Sequence, residues 1–233
     1  PFRTAFSRHF KGIDLAVAPF IAGTPAEKLR DAHVRDVIPE KQQMPVEPQI
    51  LSNNARDFLA LAHKLYDLGY SIVNWNLGCP YPMVAKKKRG SGLLPYPDMI
   101  GAFLDEVMPQ LKPRLSIKLR LGYYNAAEIE ALYPVLNAHA LASVTLHPRI
   151  GVQMYGGYAD VEAFVGAANQ ISHKMVYNGD INNREAFLAV KARLPQDDSF
   201  MLGRYLLVNT FLAAELRGAQ INAAEKEARF VAF

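Results

Sequence analysis

The chain has 233 residues, 50% of them hydrophobic, with a formal net charge of +4 and a pI of about 9.1. This length allows one sizeable core in a single domain, and the mild positive charge permits a polyanionic partner without requiring one. A single cysteine excludes an internal disulfide, which suits a reducing cytoplasm. No apolar run approaches the roughly 18 residues of a membrane span, and no signal peptide opens the sequence. We therefore expect a cytoplasmic protein without a membrane-spanning segment.

The predicted elements alternate between helices and strands along the chain. Residues 1–10 predict a helix, because proline suits a first helical turn and Phe2, Phe6 and Phe10 share one face. The strands are predicted at residues 13–21, 45–51, 71–76, 115–120, 143–147, 174–177 and 200–202. The further helices are predicted at residues 54–67, 99–111, 126–138, 161–170, 184–194, 205–217 and 223–230. Residues 22–44 are polar and irregular, and Asn53 or Asn54 and then Asp98 are expected to cap two of the helices.

Seven strand–helix repeats behind a leading helix indicate parallel strands joined by right-handed crossovers. We expect an α/β fold, a (β/α)8 TIM barrel whose first strand is missing from this chain; the alternative is an open doubly wound sheet. Six strands end in polar groups: Gln49; Asn76 and Cys79; Lys118 and Arg120; His147 and Arg149; Asn178 and Asp180; Gly203 and Arg204. Because barrel active sites are built from the carboxyl ends of several strands, this repeated polarity favours the barrel.

The only cysteine lies at a break after the third predicted strand. Asn76, Gly78, Cys79 and Pro80 end that strand, and the basic run Lys86, Lys87, Lys88 and Arg89 follows. A lone cysteine is usually a small buried hydrophobe, but this placement suits a thiol presented to a ligand. The basic run either holds phosphates or forms a solvated charged face.

Two late loops have the chemistry of a phosphate site. Asn178, Gly179 and Asp180 follow one strand, and Gly203 and Arg204 follow the next. If the missing element is strand one, these are the loops after strands seven and eight, which commonly bind phosphate in barrels. Each loop alone could be an ordinary turn, whereas the two together favour a phosphate, since glycine lets backbone N–H groups approach an anion and arginine adds donors.

Other strand-end residues fit a flavin. Lys118 is either in a structural ion pair or placed to stabilise an anionic reduced ring, and His147 either contacts a cofactor or is a satisfied core histidine. Gln49 and Asn76 supply amides suited to an isoalloxazine edge or to a substrate. The first strand is followed by no Gly-x-Gly-x-x-Gly for a nicotinamide, and no Cys/His cluster resembles a zinc site.

Taken in order, these motifs resemble the signature of the tRNA-dihydrouridine synthases over roughly residues 1–217. The matching segments are Asn-Leu-Gly-Cys-Pro at 76–80 with Gly90, Gly92, Leu93 and Leu94; Lys-Leu-Arg-Leu-Gly at 118–122; His-Pro-Arg at 147–149 with Gln153 and Tyr155; Asn-Gly-Asp-Ile at 178–181; and Gly-Arg at 203–204. The chain departs from the family pattern at Asn74, where aspartate is more frequent, and at Tyr81-Pro82, where Ser-Lys is common.

The resemblance implies a cofactor, a reaction and a partner. FMN would be held by Gln49, Asn76, Lys118, His147, Asn178, Gly179, Asp180, Gly203 and Arg204. Reduced flavin would give hydride to C6 of a uracil ring, Cys79 would protonate C5, and NADPH would reload the flavin; an ordinary thiol is mostly protonated near neutrality and can act as this acid. The substrate tRNA would meet Arg149 at the target nucleotide and the run Lys86 to Arg89 at its phosphates. We expect a monomer that needs no metal.

The resemblance also implies domain limits. Residues 1–218 would form the FMN-binding barrel, and residues 219–233 would begin a truncated helical region that grips tRNA. The family's first-strand Ala-Pro-Met segment and most of its helical domain are absent, so we expect a fragment that binds flavin poorly. Two rival hypotheses remain open: an FMN-dependent dehydrogenase of a free pyrimidine, of dihydropyrimidine or dihydroorotate type, and a non-catalytic RNA-binding barrel.

Overall fold

The structure is a computed structural model that describes residues 2–194 and 199–233. Its strands are β1 (Ala16–Val17), β2 (Ile21–Ala22), β3 (Val46–Glu47), β4 (Gln49–Leu51), β5 (Ile72–Leu77), β6 (Arg114–Gly122), β7 (Leu141–Ile150), β8 (Met175–Tyr177) and β9 (Ser199–Phe200). Seven of them form one all-parallel sheet in the order β2-β4-β5-β6-β7-β8-β9, and β1 pairs with β3. Parallel neighbours in chain order confirm the predicted α/β barrel architecture.

The helices alternate with these strands and cover the sheet. They are α1 (Phe2–His9), α2 (Asp31–Val34), α3 (Ala55–Asp67), α4 (Pro82–Ala85), α5 (Pro97–Val107), α6 (Tyr133–Asn137), α7 (Val161–Gln170), α8 (Arg184–Lys191), α9 (Tyr205–Val208), α10 (Leu212–Leu216) and α11 (Ala223–Ala232). Short 3-10 segments occur at Ala26–Lys28, Arg35–Val37, Pro39–Lys41, Gly90–Leu93, Met108–Gln110 and Ala126–Leu132. Within the described ranges, no helix is both long and apolar enough to span a membrane.

The main core lies between the strands and the surrounding helices. On β5, Val73 and Trp75 are fully buried, and the Trp75 ring stacks on Phe103 of α5 with centroids 4.1 Å apart. Phe58 of α3 meets both rings edge-on. Because side chains alternate along a strand, the intervening positions Asn74 and Asn76 face the opposite side, toward the barrel interior. The same alternation places one apolar face outward and one polar face inward.

Two predicted strands are each divided in two. Residues 13–21 form β1 and β2, separated by Pro19, and residues 45–51 form β3 and β4, separated by Pro48. Proline has no N–H to donate to a ladder, so neither strand continues through it. The divisions coincide because β1 pairs with β3 and β2 pairs with β4. The sequence prediction of two continuous strands was therefore wrong.

Several helix predictions also need correction. Tyr96, not Asp98, is the N-cap of α5, and Asp98 lies in its first turn behind Pro97. Residues 126–132 form a 3-10 helix before the short α6. The helix predicted at residues 205–217 is two helices, because the Asn209 side chain accepts a hydrogen bond from the Phe211 N–H at 3.1 Å and competes with the helical backbone. Asn54 does cap α3, accepting from the Asp57 N–H at 2.9 Å.

Other boundaries shift by a few residues. The helix predicted to begin at residue 1 starts at Phe2, and Pro1 lies outside the described residues. The helix predicted to end at residue 194 ends at Lys191, and the strand predicted at residues 200–202 is Ser199–Phe200. Residues 22–44, predicted to be irregular, contain α2 and three 3-10 turns.

The two ends of the chain pack together. Phe10, which directly follows α1, contacts Phe211 and Phe233, each with ring centroids 5.1 Å apart, and Phe230 at 5.8 Å. The last helix α11 is thus held against the first helix by aromatic contacts. The assignment of residues 219–233 to a separate tRNA-binding region stays a prediction.

Candidate functional site

A cleft of about 310 Å³ opens at the carboxyl ends of the strands. Its lining includes every residue predicted to hold a cofactor, namely Gln49, Asn76, Lys118, His147, Asn178, Gly179, Asp180, Gly203 and Arg204, together with Cys79. These residues come from β4 through β9 and the loops after them. A second, larger hollow of about 580 Å³ lies near Val46, Tyr70 and Ile72, at the opposite ends of the strands. The first cleft is the candidate site because it alone gathers the predicted residues.

The cysteine turn is held by side chains on both sides. The Asn76 Oδ1 atom accepts hydrogen bonds from the backbone N–H groups of Gly78 at 3.0 Å and Cys79 at 2.9 Å. The Cys79 carbonyl accepts from the Ser91 hydroxyl at 3.0 Å and from the Ser91 N–H at 3.0 Å. A Cβ on Gly90, whose φ is +56°, would lie 2.5 Å from the Cys79 oxygen, so glycine is required there. Cys79 is 8% exposed and lines the cleft, and the hydrogen bonds with Asn76 and Ser91 hold its backbone in place.

The electrostatics of the cleft are cationic at its centre. Burial, and then the neighbouring Arg120 charge, lowers the pKa of Lys118 to about 8. Burial and the surrounding cations, Lys118 first, lower the pKa of His147 to about 2, so that ring is neutral at physiological pH. Arg149 Nη1 donates to His147 Nε2 at 3.2 Å, which leaves the ring proton on Nδ1. The neutral imidazole is therefore a hydrogen-bond donor among positive charges.

Arg149 is engaged inside the protein. Its guanidinium forms a double ion pair with Asp180, at 3.0 and 2.5 Å, and also donates to the carbonyls of Gly156 at 3.2 Å and Gly157 at 2.8 Å. With the bond to His147, all five of its N–H donors have acceptors, and its side chain is 2% exposed. The placement of Arg149 at the target nucleotide stays a prediction, and the observed contacts tie the loop after β7 to the loop after β8.

Arg120 joins the cysteine turn to the loop after β7. It donates to the Gly78 carbonyl at 3.0 Å, to the Ile150 carbonyl at 3.0 Å and to the Met154 carbonyl at 2.7 Å. Arg120 and Arg204 both lie near the Tyr155 ring, at 5.4 and 4.2 Å from its centroid. The sequence placed Arg120 at a strand end without giving it this connecting role.

The glycines of the two loops predicted to bind phosphate differ in their surroundings. A Cβ on Gly179 would collide with the Tyr177 side chain, so glycine there has a packing reason. A Cβ on Gly203 would meet no heavy atom within 4 Å, so the backbone at Gly203 faces open space in the cleft. Asn178 donates to the Met201 carbonyl at 2.8 Å and links the two loops. Open space and an adjacent Arg204 make the Gly203 loop the better place for an anion.

The basic run lies beside the cleft but does not line it. Lys86, Lys87 and Lys88 are exposed and follow the short α4. The run is anchored by Asn53, which donates to the Lys87 carbonyl at 3.0 Å and accepts from Arg89 Nε at 3.1 Å. Its role as a phosphate contact stays a prediction.

Sequence reasoning missed the polar residues below the cleft. Glu47, Asn74, Ser116 and Thr145 are buried polar residues one step down the strands from Gln49, Asn76, Lys118 and His147. The signal was the two-residue spacing, which places the last three pairs each on one face of β5, β6 and β7. Glu47 ends β3 and Gln49 begins β4, on either side of Pro48. The prediction was drawn from strand ends, so Glu47, Ser116 and Thr145 received no role, and Asn74 entered only as a departure from the family pattern.

Comparison with known proteins identifies the family. A family model described as dihydrouridine synthase matches residues 1–232, so the chain belongs to the dihydrouridine synthase family, and the resemblance drawn from the motifs is confirmed. The tRNA-dihydrouridine synthase B of Pasteurella multocida (strain Pm70) is 28% identical over 225 residues, covering 91% of this chain and 63% of that protein. The tRNA-dihydrouridine synthase B of Escherichia coli (strain K12) is 28% identical over 218 residues, covering 88% of this chain and 63% of that protein.

The chain therefore spans about 63% of the length of the curated relatives that it matches. Among solved structures, the YdjI aldolase from Escherichia coli K12 aligns over 98% of this chain and 89% of that chain, with a TM-score of 0.43 and 11% identity. Similarity at that level adds nothing to the family assignment.

Proposed function

We propose that this chain is the catalytic barrel of a tRNA-dihydrouridine synthase, an oxidoreductase that reduces the 5,6-double bond of uridine in tRNA. The observation that carries the proposal is the position of Cys79 beside a cationic cleft in a member of this family. The proposal includes FMN as cofactor, NADPH as reductant, tRNA as substrate and a monomer working in the cytoplasm.

The residues of the cleft fit FMN. Arg204 and the open backbone at Gly203 suit a phosphate, because guanidinium donors and close backbone approach both favour an anion. Lys118 and the Nδ1–H of His147 suit the oxygen-rich edge of an isoalloxazine ring. We assign Asn178, Gly179 and Asp180 to the same cofactor, on the loop that Asn178 fixes to the Gly203 segment.

FMN, when bound and reduced by NADPH, would supply the hydride for C6 of the uracil ring. Cys79 holds the proton that C5 receives, and Asn76 keeps the cysteine turn in place through two backbone N–H groups. Negative charge develops toward C4=O as the hydride arrives, so a positioned acid and nearby amide donors lower the barrier. Cys79 acts here as a general acid and not as a nucleophile.

The exposed rim suits an RNA that delivers one unstacked base. Lys86, Lys87 and Lys88 offer charges to phosphates, and Tyr81, 57% exposed and part of the cleft lining, offers a ring for stacking. A base inside a stack cannot reach a buried thiol, so the target uridine must leave the stack to react.

The test is an assay of the purified protein with FMN, NADPH and unmodified tRNA, followed by digestion and mass analysis of the nucleosides. We expect uridine to gain two hydrogens, and we expect Cys79→Ala to abolish this gain while melting at the same temperature. Free uracil is run in parallel. Reduction of free uracil alone would identify a pyrimidine dehydrogenase, and tRNA binding without bound flavin or product would identify a non-catalytic RNA-binding barrel.

A further inference from the structure

We propose that Glu47 is a positioning residue that sets the hydrogen-bond polarity of the cleft floor, through a relay of three amides that ends at the cysteine turn. The relay consists of Glu47, Ser116, Asn74, Gln49 and Asn76. The proposal rests on the proposed function only for the identity of the ligand that the floor receives.

The relay begins at a buried carboxylate. Glu47 is 9% exposed, and its Oε1 atom accepts from the Ser116 hydroxyl at 2.5 Å and from Asn74 Nδ2 at 3.1 Å. Asn74 Nδ2 also donates to the Ser116 hydroxyl at 2.8 Å. Both N–H bonds of that amide are thereby used, so the Asn74 carbonyl must face the other way.

The orientation passes from one amide to the next. Asn74 Oδ1 accepts from Gln49 Nε2 at 2.7 Å, and Gln49 Oε1 accepts from Asn76 Nδ2 at 2.6 Å. Asn76 Oδ1 then faces the N–H groups of Gly78 and Cys79. Every amide in the relay therefore has one possible orientation. Reversed amides would place the Asn74 oxygen against the Glu47 carboxylate, and the Asn76 NH2 group against the Cys79 N–H.

The fixed orientation decides what the cleft offers a ligand. Gln49 and Asn76 line the cleft, and each uses one amide N–H within the relay and keeps the second outside it. The floor is therefore a pair of donors, suited to carbonyl oxygens or ring nitrogens such as those of a flavin or a pyrimidine. Glu47 does not line this cleft but the hollow at the opposite ends of the strands, and its link to the cleft runs through its hydrogen bonds to Ser116 and Asn74.

The experiment compares four variants in two assays. The first assay is the alkylation rate of Cys79 by iodoacetamide, followed by mass spectrometry, which needs no cofactor because the chain has one cysteine. The second is titration of FMN by quenching of flavin fluorescence. The variants are Glu47→Met, Glu47→Gln, the double variant Glu47→Gln/Asn74→Asp, and the control Glu130→Gln at an exposed glutamate.

We expect Cys79 to be alkylated roughly tenfold faster in Glu47→Met than in the parent. We expect this variant to bind FMN roughly tenfold more weakly, because one buried hydrogen bond is lost. Glu47→Gln keeps an acceptor oxygen, but its amide can turn its NH2 group toward Asn74 instead. Its effects on the alkylation rate and on FMN affinity should therefore be smaller than those of Glu47→Met. The double variant moves the carboxylate, which can only accept hydrogen bonds, to position 74, where it again orients the Gln49 amide. Its alkylation rate and its FMN affinity should both return to those of the parent. The control should match the parent.

Parent-like alkylation and FMN affinity in Glu47→Met would overturn the relay. So would a double variant that melts like the parent but keeps the defects of Glu47→Gln. If Glu47→Met does not fold, Glu47→Gln and the double variant still decide. If the parent itself binds FMN too weakly to titrate, the alkylation rates decide: the expected order supports the relay whatever the cofactor, and parent-like rates in Glu47→Met overturn it.

Discussion

The two sides of the cleft are built differently. On one side, β5 and β6 pair over six residues in unbroken register, and their inward amides and Lys118 are held by buried strands. On the other side, β8 and β9 pair over two residues, and Arg204, with 52% of its side chain exposed, extends from a loop. The first side fixes the groups that we propose take part in the reaction, and the second leaves room for a charged ligand. Preorganisation is thus concentrated where chemistry requires it.

The largest expected effect tests the strand side by removing core volume. Trp75→Ala should lower the free energy of unfolding by about 3–5 kcal/mol, because the ring is fully buried and stacked on Phe103. Phe200→Ala, on the two-residue β9, should cost less, since that ring is only partly buried. Urea denaturation measures both. An equal or greater loss in Phe200→Ala would contradict the comparison.

The next effect separates two arginines that flank Asp180. Arg149→Met leaves a partly buried carboxylate without its main partner and should cost about 1–3 kcal/mol of stability. Arg204→Met should change the free energy of unfolding by less than about 1 kcal/mol, because the Arg204 side chain is 52% exposed and lies 3.9 Å from Asp180. It should weaken the binding of FMN more than the binding of riboflavin. Thermal melts and flavin titrations measure this contrast. If Arg149→Met were fully stable and lost only tRNA binding, Arg149 would be a nucleotide contact.

A third effect is a pH dependence from Lys118. Its pKa is lowered from 10.5 to about 8, so without ligand the unfolded chain binds more protons between those values and the free energy of unfolding rises with pH across that window. Binding of an anion favours the charged ammonium, so FMN affinity should be steady below pH 8 and fall above it. Flavin titrations between pH 7 and pH 10 measure this, and Lys118→Met should remove the fall. An unchanged profile in that variant would exclude Lys118 as the group responsible.

The smallest effect concerns the basic run outside the cleft. Lys86→Ser should lower tRNA affinity by a few-fold and reduce the slope of log affinity against log salt by about 0.7–0.9, the value for one phosphate contact. Lys174→Ser serves as a control at a lysine before β8, at the opposite end of the strands. Filter binding over a salt series gives both slopes. Equal slopes in the parent and Lys86→Ser would make the run an ordinary solvated face.

The sequence predicted the cleft residues because parallel strands bring their carboxyl ends to one edge, so Gln49, Asn76, Lys118 and His147 were located by position alone. It did not predict the partners of Arg149, because Asp180 is 31 residues away and the pairing depends on the path of two loops. The divided first strands were predictable in principle, since Pro19 and Pro48 both lie inside the runs. Glu47 was missed because its role depends on its hydrogen bonds to Ser116 and Asn74 and not on its place at a strand end.

The stacked core of Trp75, Phe58 and Phe103 has a consequence for how the chain folds. All three rings lie within residues 55–107, on α3, β5 and α5, so this cluster closes over a short stretch of sequence. Contacts between near neighbours in sequence cost little loop entropy and form early. During synthesis this unit can assemble before β7, which carries His147, and the loop that carries Arg204 have left the ribosome. It then provides the edge on which β6 and the later repeats are added in turn.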